Sequence, residues 1–414
     1  MNKRVVITGT GAVTCVGNNV NEFWASVVNG RCGITKVKTF DTSEFRTQIG
    51  GHVKDFDISE YMSIKEARRL DRFCQFAIAA GDEALTSAGI TNDLDGFNPK
   101  RVGVLVSSGI GGISTIEAQD AVLNQKGPGK VSPFFVPMML INLASGNLAI
   151  RYGAKGPNLS IVTACASSTH SIGESFWMIK RGDADVMITG GSETGISPLS
   201  YAGFCSMKAM SQRNDDPLTA SRPFDADREG FVIGEGAGVL VLEELEHALK
   251  RGANILAEIT GYGLTADAYH ITAPAPGGAG LADAMSMALK HAGIEGCDVD
   301  YINAHGTSTP LNDKFETLAI KSVFGENAYN IPISSIKGTI GHNLGASGAI
   351  ETISCVKTLQ ENVIPPTINY TTKDPDCDLD YTPNTAREAK VDIALNSNLA
   401  FGGHNAALIL QKYK

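Results

Sequence analysis

Residues 158–182 read NLSIVTACASSTHSIGESFWMIKRG. An apolar stretch at 159–162 runs into Thr163, Ala164 and Cys165, and helix-forming residues follow. This predicts a strand, a sharp turn and a helix. Lys180 and Arg181 fall in the last turn with Gly182 just beyond, as helix C-termini prefer. Small residues crowd the start of the helix, among them Ala166, Ser167, Ser168 and Thr169. Cys165 then sits at a helix N-terminus, where free N–H groups and the dipole favour thiolate, with space beside it for a substrate. A packed core cysteine is the plainer reading of that position taken alone.

The same alternation extends in both directions. Short β-branched runs stand at 4–8 (RVVIT), 102–106 (VGVLV), 186–189 (VMIT) and 239–242 (VLVL). Continuous rather than alternating apolarity suits strands buried on both faces, in sheets covered by helices. Phe73, Phe76, Ala77, Ala80 and Ala84 recur at helical spacing. A second series of strands is expected at 255–260, 301–304, 332–336 and 406–410. No linker or low-complexity tract intervenes. The expectation is two similar α/β lobes, 1–252 and 253–414, packed tightly together, with a helix over 243–252 near their join.

Composition sets outer limits. The chain has 414 residues, 43% hydrophobic and 19% charged, which excludes a disordered or fibrous protein. A formal charge of −9 argues against a general nucleic-acid binder, which needs a basic face. No run approaches the roughly 18 apolar residues of a membrane span, and the first residues read as a strand rather than a signal peptide. Eight cysteines without a C-x-x-C pair suit reduced thiols, hence a cytoplasmic setting.

The glycines at 9–14 (GTGAVT) imitate a dinucleotide loop, but the third glycine and the later acidic residue are missing. A nicotinamide-dependent oxidoreductase is therefore a minor alternative. No P-loop, H-E-x-x-H or zinc-ligand spacing occurs. Two other segments carry more. Residues 301–313, YINAHGTSTPLND, deliver His305 from a strand to a polar loop. Residues 335–348, SIKGTIGHNLGASG, deliver Lys337 and His342 in the same way. Sites gather at the carboxyl ends of strands in α/β sheets, and one Cys with two imidazoles suits thioester chemistry. Residues 396–405, NSNLAFGGHN, place Phe401 before two glycines, in a loop entering the final strand. That reads as plain turn chemistry or as a movable aromatic with N–H groups free for an oxyanion.

Taken together, these motifs resemble the β-ketoacyl-[acyl-carrier-protein] synthases, in particular the elongating class of type II fatty acid synthesis (synthase II). The resemblance runs end to end, through SSGIGGI at 107–113, TACA at 163–166, SRPFDADREGFVIGEGAGVLVLE at 221–243, NAHGTSTPLND at 303–313, GHNLGASG at 341–348 and FGGHN at 401–405. It implies a thiolase-like α/β fold of five α/β/α/β/α layers, a homodimer, acyl carrier protein as partner and no cofactor. It implies that Cys165 takes the acyl chain, that His305 and His342 handle the malonyl thioester, and that Lys337 orders the site. It implies an oxyanion hole from the N–H groups of Cys165 and Phe401, with Phe401 also gating the acyl pocket. Thr307 and Thr309 would hold the phosphopantetheine arm, and Lys65, Arg68, Arg69 and Lys208 would dock the carrier. The first three have i, i+3, i+4 spacing, on one helix face. Some relatives bind a monovalent cation near the positions of Asn303, Glu351, Asn396 and Ser397; here that last pair has the reverse order.

The second imidazole favours the elongating class over initiating synthases, and Cys165 argues against non-catalytic chain-length factors. A ketosynthase of a type II polyketide pathway is the close rival; a carrier-binding scaffold without catalysis is a distant one. Ala400, Ile340 and Ser167-Ser168 depart from the usual pattern, which touches the gate and the acyl-length preference.

Overall fold

In the computed structural model, residues 3–91 and 93–414 are described. Ten strands form one continuous sheet: β1 (Val5–Thr14), β2 (Val102–Ser107), β3 (Asn158–Leu159), β4 (Val186–Glu193), β5 (Gly236–Glu244), β6 (Ala257–Ala266), β7 (Tyr301–Asn303), β8 (Ile333–Ser334), β9 (Ile393–Ala400) and β10 (His404–Gln411). The halves meet where Val5, Val6 and Ile7 of β1 pair antiparallel with Ile259, Glu258 and Ala257 of β6. Outward from that join the order is β1-β5-β4-β2-β3 on one side and β6-β10-β9-β7-β8 on the other. On each side the first two pairings are antiparallel and the last two parallel. The repeat that the sequence suggests only coarsely is therefore complete in the topology.

Four helices build the layers. α1 (Arg72–Ser87) packs on β1 and β5, and α3 (Ala279–Ala292) packs on β6 and β10. α2 (Ser167–Arg181) and α4 (Ser347–Glu361) touch each other and strands of both halves, forming the middle layer. The result is α/β/α/β/α. The continuous apolar runs follow from this burial, since β1, β2 and β4 are buried along their whole length. The expected helical stripe of Phe73, Phe76, Ala77, Ala80 and Ala84 is buried on α1.

Residues 9–14 form no phosphate loop. They continue β1, and a Cβ at Gly9 or Gly11 would collide with the carbonyls of Ala84 or Ala80 on α1. Gly261 and Gly263 of β6 stand in the same relation to Ala288 and Ala284 on α3. These glycines let a helix lie close on a strand, which removes the reason for a nicotinamide site.

Three further expectations are corrected. The strand at 159–162 shrinks to the two residues of β3, with Leu159 and Val162 each 50% exposed. The stretch before the final strand is itself a strand, β9. Its buried Asn396, Ser397 and Asn398 hide it from an apolarity search. The helix carrying Lys65 is a single turn, Ile64–Ala67. A Ser63–Glu66 capping box starts it, and Asp71 soon begins α1.

Candidate active site

Cys165 lies in a one-turn 3-10 segment, Ala164–Ala166, that feeds α2. Ala164 takes φ +49°, a conformation costly for a residue with a Cβ, and the turn lifts Cys165 off the sheet. The other half repeats this at Leu344–Ala346, where Leu344 takes φ +46° ahead of α4. Glu193 ties the second of these turns to the loop after β2. Its buried carboxylate accepts Ser108 Oγ at 2.6 Å and the N–H groups of Gly109 at 2.7 Å and Gly345 at 2.9 Å.

His305 follows β7. Its backbone N–H and that of Gly306 each donate to Glu316 at 2.7 Å. His342 follows the short helix Lys337–Ile340, and its Nδ1 lies 2.9 Å from Ser347 Oγ at the head of α4. The sulfur of Cys165 and a ring nitrogen of each histidine all lie within 4.8 Å of one another. The imidazoles meet edge to face, 5.2 Å between centroids. The topology thus delivers a sulfur from one half and two imidazoles from the other to a single chamber.

Lys337 stands behind His305. Its ammonium forms a buried ion pair with Glu351 and lies 3.5 Å from His305 Nδ1. Asn398 Nδ2 donates to Glu351 Oε2 at 2.7 Å and lies 3.1 Å from His305 Nδ1, and Thr169 donates to Asn398 Oδ1.

Burial dominates the electrostatics. It pushes the Cys165 thiol up to about 12, with Glu193 adding to the shift, while Lys337 and the backbone N–H groups of Phe401 and Cys165 pull it back. The thiolate expected from the helix N-terminus alone is therefore not the resting form; desolvation outweighs the dipole. Burial, with Lys337 adding, drives both His305 and His342 well below the ordinary histidine value. Both imidazoles are neutral at pH 7.

A cavity of about 460 Å³ opens onto this chamber. Phe401, Thr307 and Thr309 line it with the three reactive side chains, and Ile110, Phe204, Phe231 and Leu344 make much of it apolar. Thr307 and Thr309 hydroxyls lie 2.9 Å apart. Lys208 is exposed next to Met207, another lining residue. Lys65, Arg68 and Arg69 are exposed but do not line the cavity; the Arg69 guanidinium sits 4.9 Å over the Phe134 ring. Sequence reasoning missed Glu193, Glu316, Ser347 and Asn398. Glu193 and Asn398 are signalled only by their polarity within buried strands, while Glu316 and Ser347 stand on helices with many other polar residues and carry no local signal.

Asn303, Glu351, Asn396 and Ser397 do not fit a cation. Asn303 Nδ2 donates to Asn396 Oδ1 at 3.2 Å, and Ser397 Oγ donates to Glu316 at 3.3 Å. Lys337 and Asn398 take both oxygens of Glu351. The oxygens of Glu351 and Asn396 that would ligate an ion already accept N–H groups.

A cysteine and two neutral histidines at the mouth of an apolar cavity, on this doubled thiolase-like fold, define an acyltransferase-type enzyme. Sequence comparison then places the chain within that class. Residues 2–248 match the model for the beta-ketoacyl synthase N-terminal domain and residues 256–371 that for its C-terminal domain, so the chain belongs to the beta-ketoacyl synthase family. It is 52% identical to the 3-oxoacyl-[acyl-carrier-protein] synthase 2 of Synechocystis sp. over 412 residues, covering 100% of this chain and 99% of that protein. It is 50% identical to the Staphylococcus aureus protein of the same name, with the same coverage. A beta-ketoacyl synthase from Burkholderia phymatum superposes with TM-score 0.93 at 35% identity, both chains covered 100%. The ketosynthase of a type II PKS, solved in complex with its acyl-carrier protein, superposes with TM-score 0.92 at 35% identity, again with full coverage.

Proposed function

We propose that the chain condenses acyl-[acyl-carrier-protein] with malonyl-[acyl-carrier-protein], giving 3-oxoacyl-[acyl-carrier-protein] and CO2 in fatty acid elongation. The observation that carries this reading is the meeting of Cys165, His305 and His342 within 4.8 Å beside an apolar cavity.

Cys165 Sγ attacks the acyl thioester, and the pantetheine thiol leaves with the proton. The N–H groups of Cys165 and Phe401 receive the developing oxyanion. The malonyl thioester then enters with its carbonyl oxygen between the two imidazoles. CO2 departs and leaves its bonding electrons on the adjacent carbon, as an enolate held by the histidines. That carbon attacks the acyl-Cys165 carbonyl, the carbon–sulfur bond breaks, a carbon–carbon bond remains, and the departing thiolate takes a proton from water to restore the resting thiol. Each donor contributes about 3–4 kcal/mol, roughly 10²–10³ in rate, and neutral imidazoles donate without first losing a proton. Thr307 and Thr309 hold the pantetheine arm, Phe401 gates the cavity, and Lys337 orders the chamber.

Carrier protein docks on Lys65, Arg68, Arg69 and Lys208, all exposed. The chain forms a homodimer through β3. That edge strand, with Leu159 in it and Val162 just beyond it half exposed, is a ready template for pairing with a second copy. Eight free cysteines suit a reducing, cytoplasmic setting, and among the described residues no helix is long and apolar enough to cross a membrane. The halves divide at 252/253. Fatty acid elongation is preferred over polyketide assembly because identity to the synthase 2 proteins is 50–52%, against 35% for the type II PKS ketosynthase.

The test is a condensation assay with purified chain, acyl- and malonyl-carrier protein. Stoichiometric CO2 and 3-oxoacyl product are expected; product formation only with an added partner subunit would favour the polyketide reading.

A further inference from the structure

We propose that Asn398 is a positioning residue that holds His305 as its Nε2–H tautomer, so that a neutral imidazole presents a donor to the chamber. The inference deepens the role proposed for His305 and rests on that reading.

The orientation of Asn398 is fixed by its partners. Glu351 Oε2, 2.7 Å away, only accepts, so the atom facing it is the amide nitrogen. The other side of the amide takes the hydroxyl proton of Thr169, as an amide oxygen must. Nδ2 carries two protons, and the second points at His305 Nδ1, 3.1 Å away. The Lys337 ammonium, 3.5 Å from the same ring nitrogen, has no lone pair either. His305 Nδ1 therefore faces two donors and no acceptor, which leaves it bare and puts the ring proton on Nε2. Burial keeps the ring from taking a second proton.

The contact has a further consequence. Thr169 lies on α2, one turn beyond Cys165, and Asn398 lies on β9 of the other half. The Thr169–Asn398–His305 chain thus ties the helix carrying the nucleophile to the imidazole it works with. Asn398 also satisfies one oxygen of Glu351 with a neutral donor, while Lys337 takes the other. The carboxylate behind the histidine is saturated by this chain's own side chains.

The experiment uses the full chain with 15N-labelled histidine, the His305 signals assigned by their loss in His305→Gln. Wild type is expected to show a protonated Nε2 and a bare Nδ1. In Asn398→Asp, the oxygen that replaces Nδ2 shares one proton with Glu351 Oε2 and has none for Nδ1; its free lone pair accepts instead, so the ring proton moves to Nδ1 or the ring becomes cationic. CO2 release from malonyl-carrier protein then falls by on the order of 10²-fold. A protonated Nδ1 in wild type overturns the proposal, whether or not the variant folds. An Asn398→Asp protein that releases CO2 at the wild-type rate overturns it too. The expected tautomer in a wild type that releases no CO2 supports the positioning and sinks the reaction assigned to His305, so the two failures are distinct.

Discussion

Replacing Glu351 with Gln leaves the Lys337 ammonium in the chamber without its counter-charge. Both side chains are nearly inaccessible, 2% and 1% exposed, so water cannot compensate. Breaking one partner of a buried pair costs about 3–5 kcal/mol, because an unpaired charge remains. The substituted amide still offers a carbonyl oxygen to Asn398, so the loss is mainly that of the ion pair. Equilibrium urea denaturation at fixed protein concentration measures it. The double variant Lys337→Met/Glu351→Gln removes the stranded charge and should recover most of the stability. It should not recover condensation, since the donor behind His305 is gone. A Glu351→Gln loss below about 1 kcal/mol, or a double variant no more stable than the single, would refute the reasoning.

Alkylation of Cys165 by iodoacetamide should keep rising with pH without levelling near the ordinary thiol value of about 8.5, because burial pushes the group to about 12; a plateau near that ordinary value would place the resting sulfur in a far more polar setting. Both histidines have lowered values, so each stays neutral as pH falls through about 6.5. CO2 release from malonyl-carrier protein should accordingly stay level there, and a half-loss at that pH would contradict neutral donors. Arg68→Glu/Arg69→Glu should raise KM for carrier-linked substrate while leaving turnover of a free pantetheine thioester unchanged; equal effects on both would remove the docking role.

Much of the fold was legible because the central strands are covered on both faces. Runs such as 102–106 and 239–242 carry no polar residue to blur them. The site was legible for a related reason: Cys165 and His305 each follow a strand-like run and begin a loop of small residues, and Lys337 and His342 fall in the glycine-rich stretch 337–348. β9 was not legible. Asn396, Ser397 and Asn398 are buried polar residues satisfied by partners 44 or more positions away, and no local pattern encodes such partners. The thiol's protonation state was misjudged for the same reason. The helix N-terminus is a local feature, whereas the desolvation that outweighs it comes from residues scattered along the chain, Val37, Ile196, Phe231 and Leu344 among them. Glu193 escaped notice because its task, joining two loops more than 150 positions apart, exists only in three dimensions.

The central claim is that the sulfur of Cys165 carries the acyl chain. Intact-protein mass measurement after incubation with acyl-carrier protein, followed by peptide mapping, tests it most directly. One acyl group per chain is predicted, on Cys165 and absent from Cys165→Ala. Acylation of a different cysteine, or an unlabelled wild type, would contradict the account.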